Sequence, residues 1–132
     1  MQRAVILLSL LLASWFGFAS AANKPVYTDS SQIIEATPAK STFIIALPSN
    51  PSTGYSWKIK SYPQQQLKLI KQAYVPPKKQ LIGGGGTETW LFSVKPSAFK
   101  NPGSGQIELI YQRPWENIPV KTQIFKIKIS SR

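Results

Sequence analysis

Nowhere does this chain sustain a helical repeat of apolar residues. It is written instead as short runs of Ile, Val, Thr and aromatics, each stopped by Pro, Gly, Ser or Asn. That punctuation belongs to strands and turns, and it argues against a helical fold from the outset. Candidate strands fall around Val26–Thr28 and Ile33–Glu35, then at Thr42–Leu47, a nearly continuous apolar run that Pro48-Ser49-Asn50-Pro51 stops. Tyr55 to Lys60 alternates, with Tyr55, Trp57 and Ile59 on one face and Ser56, Lys58 and Lys60 on the other, as a half-buried strand does. Leu67–Tyr74 is a weaker candidate, interrupted by Lys68, Lys71 and Gln72. Glu88–Val94 puts Trp90, Phe92 and Val94 on one face. Ile107, Leu109 and Tyr111 repeat that pattern, as do Phe125, Ile127 and Ile129 against Lys126 and Lys128. About seven or eight short strands with inward aromatics and no helix predict an all-β, immunoglobulin-like β-sandwich, with a closed barrel as the alternative.

The first residues stand outside that pattern. Met1-Gln2-Arg3 is a short positive start, Ala4 to Phe18 is mostly apolar, and Ala19-Ser20-Ala21-Ala22 is a run of small residues. This order predicts a secretory signal peptide over residues 1–21, cut after Ala21, and one domain over 22–132. A retained membrane anchor is the alternative, but the apolar run falls short of the roughly 20 residues a spanning helix needs. The expected product is exported, periplasmic or secreted, with no stable membrane insertion. Export permits disulfides, yet the chain has no Cys, so apolar burial and a paired backbone must stabilise it.

The missing residue types also restrict chemistry. Without His or Cys, nucleophilic triads, thiolate chemistry and His- or Cys-ligated metals are excluded. The five carboxylates, Asp29, Glu35, Glu88, Glu108 and Glu116, are scattered, so local spacing supplies no acid/base pair and no calcium loop. The sequence therefore predicts a protein that is not an enzyme, with no cofactor, no metal and no catalytic residues.

Three connections have unusual chemistry. In Asn50-Pro51-Ser52-Thr53-Gly54-Tyr55, Pro51 fixes φ, Asn50 can bond its own backbone, and Gly54 permits positive φ. A stiff loop follows, with Ser52 and Thr53 at its tip. Gly83-Gly84-Gly85-Gly86 offers bare backbone that can lie close against another surface. It lacks the Lys-Ser/Thr that closes a phosphate-binding loop, and no helical pattern follows it. Arg113-Pro114-Trp115 comes directly after the Ile107–Tyr111 strand. Pro114 holds Arg113 extended, and an exposed Trp is the type of residue that dominates binding interfaces. Turn chemistry alone explains the first two segments, and Trp115 either stays exposed or folds back onto the end of the sandwich.

Taken in order, these segments resemble the signature segments of the chagasin-like inhibitors of cysteine peptidases. The likeness takes in Trp57 after the first motif and the Gly85–Glu88 stretch leading into the Trp90 strand. It implies an immunoglobulin-like sandwich whose three loops gather at one end and plug the cleft of a papain-like, cathepsin L-type peptidase. By that resemblance Asn50–Tyr55 is the central loop, with Thr53 over the catalytic centre. Gly83–Gly86 would lie along the non-prime side of the cleft, and Arg113 and Trp115, held by Pro114, on the prime side. The implied mode is reversible, non-covalent occlusion by a monomer. Ser52 departs from the family pattern, which usually has Thr there; a methyl group is lost and the hydroxyl kept.

Charge suggests a rival. A formal net charge of +11 attracts polyanions such as nucleic acid, glycosaminoglycan or anionic lipid. Yet Lys58, Lys60, Lys78, Lys79, Lys126 and Lys128 are spread along the chain, without the interleaved aromatics of an RNA-binding sheet. The expected partner is a peptidase, not nucleic acid. An adhesion or structural sandwich is a third class, and it would tolerate substitution in all three loops.

Overall fold

The computed structural model describes residues 24–78 and 85–132. Residues 1–21, expected to be a signal peptide, and Gly83 and Gly84 of the glycine loop lie outside the described residues.

Eight strands form: β1 Val26–Tyr27, β2 Ile34–Ala36, β3 Thr42–Ser49, β4 Ser56–Ser61, β5 Leu67–Val75, β6 Gly86–Val94, β7 Gly103–Gln112 and β8 Lys121–Ile129. They make two separate four-stranded sheets, ordered β1-β3-β6-β5 and β2-β8-β7-β4. The architecture is thus the expected immunoglobulin-like sandwich and not a closed barrel. Pairing is antiparallel except where β1 joins β3 and β2 joins β8, both parallel.

Alternation along each strand builds the core. Phe43, Ile45 and Leu47 of β3 and Trp90, Phe92 and Val94 of β6 are buried, facing Trp57, Ile107, Leu109, Phe125, Ile127 and Ile129 of the other sheet. Phe43 and Phe92 are register partners and stack with ring centroids 5.4 Å apart. Trp57 and Trp90 both lie inside, as their strand positions predict.

The irregular β5 has a mechanical cause. Its register against β6 shifts between Leu69 and Lys71, and a bulge reverses which side chains face inward. Beyond it Gln72 and Tyr74 pair with Trp90 and Glu88, sharing their face at the sheet edge. The sequence reading also expects no helix, and here the fold differs. A single turn, α1 Pro96–Lys100, joins β6 to β7 and buries Ala98. Pro96 suits its first turn, but one turn is too short to leave a 3.6-residue repeat.

Strand direction alone brings the three unusual connections together. Strands β3 and β5 are both antiparallel to β6, so both end where β6 begins. Strand β4 starts just after β3 ends, and β7 runs antiparallel to both β4 and β8. The β3–β4, β5–β6 and β7–β8 connections therefore share one end of the sandwich.

Candidate functional site

The first loop is held by its own hydrogen bonds. Pro51–Thr53 forms a single 3-10 turn, and Gly54 closes it with φ of 82°. The Thr53 N–H donates to the Asn50 carbonyl at 3.2 Å and the Gly54 N–H to the Pro51 carbonyl at 3.0 Å. The tip hydroxyls add to this. Ser52 Oγ donates to Asn50 Oδ1 at 2.6 Å, and Thr53 Oγ1 donates to the Asn50 carbonyl at 2.7 Å. Pro51, Ser52 and Thr53 are all exposed, so a stiff tip faces water. The Asn50 side chain accepts from Ser52. That bond needs a hydroxyl, which Ser52 supplies as Thr would.

The third loop is a turn that displays its tryptophan. The Glu116 N–H donates to the Arg113 carbonyl at 3.1 Å, putting Pro114 at the second turn position, where its fixed φ is already correct. Arg113 Nη1 lies 3.7 Å from Glu116 Oε1 across the turn. Trp115 is 71% exposed, so it does not fold back into the core.

A column of π-systems connects that tip to the interior. Trp57 packs on Tyr111 with ring centroids 4.9 Å apart, and Tyr111 stacks on Tyr55 at 5.4 Å. The Arg113 guanidinium sits 4.4 Å above the Tyr55 ring and 5.7 Å from the Trp115 ring, within cation–π range. Gly54 lies where the first and third loops meet. A Cβ there would stand 3.5 Å from Trp115 Cη2 and 3.8 Å from Arg113 Cγ.

The glycines of the second loop that fall within the described residues have reasons internal to the fold. A Cβ on Gly85 would stand 2.7 Å from the Ser49 carbonyl oxygen and 3.2 Å from Asn50 Cβ. At Gly85 the chain thus lies directly against the start of the first loop. Gly86, expected in the loop, is instead the first residue of β6, paired with Ser49. A Cβ on it would run into the Val75 carbonyl and the Tyr74 hydroxyl. Close backbone approach is what these positions need, as bare backbone predicts, but the surface approached is the chain's own.

Glu88, in the sequence a scattered carboxylate and the end of the Gly85–Glu88 stretch, has a role that no local motif shows. It is buried, and its Oε2 accepts the backbone N–H of Trp57 at 2.8 Å. This bond crosses from β6 in one sheet to β4 in the other, just beneath the first two loops. The Trp57 indole N–H donates to the Pro48 carbonyl at 2.9 Å, tying down the approach to the first loop. The signal was present, since Glu88 shares the inward phase of Trp90 and Phe92. Replacing Glu88 with Leu should lower stability by about 1–3 kcal/mol by leaving a buried N–H without an acceptor. Glu88→Gln, which keeps a carbonyl oxygen there, should recover most of the loss in urea unfolding. An unchanged unfolding midpoint for Glu88→Leu would show that the bond contributes nothing.

Comparisons with known proteins bear on the family and the fold. Residues 37–129 match the family described as chagasin family peptidase inhibitor I42. Chagasin of Trypanosoma cruzi is 37% identical over 75 residues, covering 54% of this chain and 64% of that relative, just under two thirds of its length. Among solved structures, the cysteine protease inhibitor EhICP2 from Entamoeba histolytica has a TM-score of 0.60 at 24% identity, covering 80% of this chain and 93% of its own. At that identity the likeness speaks for the fold. The solution structure of amebosin gives a TM-score of 0.55 at 26% identity, over 81% of this chain and 96% of that one. Because the family's model matches residues 37–129, most of this chain, the chain belongs to the chagasin family of peptidase inhibitors.

Proposed function

We propose that this protein is a reversible, non-covalent inhibitor of papain-like, cathepsin L-type cysteine peptidases, acting as a monomer that fills the active-site cleft with three loops. The observation that carries the proposal is the joined tip at one end of the sandwich. Exposed Pro51–Thr53 stands beside exposed Trp115, and the two loops touch at Gly54. Their internal hydrogen bonds and the Arg113–Tyr55 contact preorganise them, which lowers the entropy lost on binding.

In this reading Asn50–Tyr55 enters the centre of the cleft, Arg113, Pro114 and Trp115 cover one side, and Gly83–Gly86 lies along the other. The tip offers hydroxyls, backbone and an indole, and the chain has no Cys, so no covalent bond to the catalytic thiol is called for. Support comes from the family and from the names of its relatives, chagasin and a cysteine protease inhibitor. Export after removal of residues 1–21 belongs to the same proposal, and it would place the inhibitor where exported or foreign peptidases act.

Titrating papain or a cathepsin L-like enzyme with the purified protein tests it. Activity should fall with added inhibitor and return on dilution, with the inhibitor recovered intact. Full residual activity at micromolar inhibitor would sink the proposal.

A further inference from the structure

Trp115 is one of three large apolar groups that the β7–β8 connection shows to water. Ile118 is 81% exposed, more than any other large apolar residue among those described, and Val120 is 58% exposed. Single exposed apolar residues are ordinary on protein surfaces; the setting of these two is not. The connection is tied at its start by the Arg113–Glu116 turn and at its end by the Val120 N–H, which donates to the Tyr111 carbonyl at 2.8 Å. Pro114 and Pro119 each fix a backbone angle between those ties. The stretch is electrically quiet in a chain of net charge +11. Its one charged side chain between 114 and 120, Glu116, is paired with Arg113.

We infer that Ile118, with Val120 beside it, extends the peptidase-binding surface beyond the Arg-Pro-Trp turn. It rests on an apolar, uncharged patch of the enzyme's rim, next to the part of the cleft that Trp115 covers, and so helps decide which peptidases are held tightly. The inference rests on the inhibitor reading above. The occupant is argued from continuity with Trp115 on one braced loop and from the neutrality of the segment, which suits an apolar rim better than an acidic one. An apolar group held in place before binding adds its contact area with little ordering cost. Its effect falls mainly on the dissociation rate.

The test compares the full-length mature protein with Ile118→Ser and Ile118→Asp on a panel of papain-type peptidases, alongside thermal melting and sedimentation. Ile118→Ser should raise the inhibition constant about five- to tenfold for the preferred enzyme. The loss should differ between enzymes by a similar factor, with faster dissociation and an unchanged melting temperature. Ile118→Asp should weaken binding further. A wild type that inhibits while the Ser variant stays within about twofold of it on every enzyme overturns this inference and leaves the parent reading standing. A wild type that inhibits none of the panel overturns both. A wild-type dimer that the Asp variant disperses would reassign the ridge to contact between copies of the chain, and overturns it too.

Discussion

Replacing Trp115 with alanine should weaken inhibition roughly 30- to 100-fold, about 2–3 kcal/mol, while the protein melts at the wild-type temperature. The two halves of that expectation have separate causes. At 71% exposure the indole contributes little to the folded state, because most of its surface is wet before and after unfolding. Its recorded neighbours are the Gly54 backbone and the Arg113 side chain, both held by other bonds. In a complex the same ring would lose its water and fill a pocket, as buried aromatic anchors do. Inhibition constants and thermal melts of wild type and Trp115→Ala, run side by side, read both effects. A stability loss of several kcal/mol, of the size core truncations give, would assign the indole to the core and remove it from the binding surface.

How far the sequence showed this arrangement differs from residue to residue. The strands were legible because sandwich alternation is written one residue at a time: Trp90, Phe92 and Val94 occupy the inward phase, and all three are buried. β5 was less legible because its bulge at Leu69–Lys71 switches the phase midway, and alternation counted across a bulge cancels itself. Helix α1 is a single turn and leaves no periodic pattern, and Gly86 reads as loop because glycine signals a turn more often than a strand. Of the site, the three motifs and their order could be read, but not what holds them together. The contact between Gly85 and the Ser49 carbonyl, and the bond from Glu88 to Trp57, join residues far apart in the chain. Such long-range pairs leave no local pattern. Whether Trp115 was exposed or tucked in was also open, and the Arg113–Glu116 turn resolves it in favour of exposure.

The opposite result is expected at the other tryptophan of the site. Trp57→Ala should destabilise the fold by about 3–5 kcal/mol, the range for removing a large aromatic from a core. That is a large share of the roughly 5–15 kcal/mol that keeps such a domain folded. The ring is 5% exposed, so its removal leaves a cavity, and the Pro48 carbonyl loses its indole donor. The backbone N–H that Glu88 accepts survives the substitution, which leaves the tie between the sheets in place. Loss of the ring also takes away the platform under Tyr111, on which Tyr55 and then Arg113 rest. Trp57→Ala should therefore weaken inhibition even at temperatures where it stays folded, although the residue lies in the core and beneath the binding surface. Trp57→Phe separates the two roles. It keeps most of the ring and drops the indole bond, so stability should fall by about 1–2 kcal/mol while affinity changes little. Urea unfolding gives the stabilities, and inhibition constants taken well below each midpoint give the affinities. An alanine variant that is less stable but binds as tightly as wild type would mean that the first loop's own hydrogen bonds suffice to aim it. A phenylalanine variant that binds as poorly as the alanine one would instead place the decisive constraint at the Pro48 carbonyl, where the strand enters the first loop.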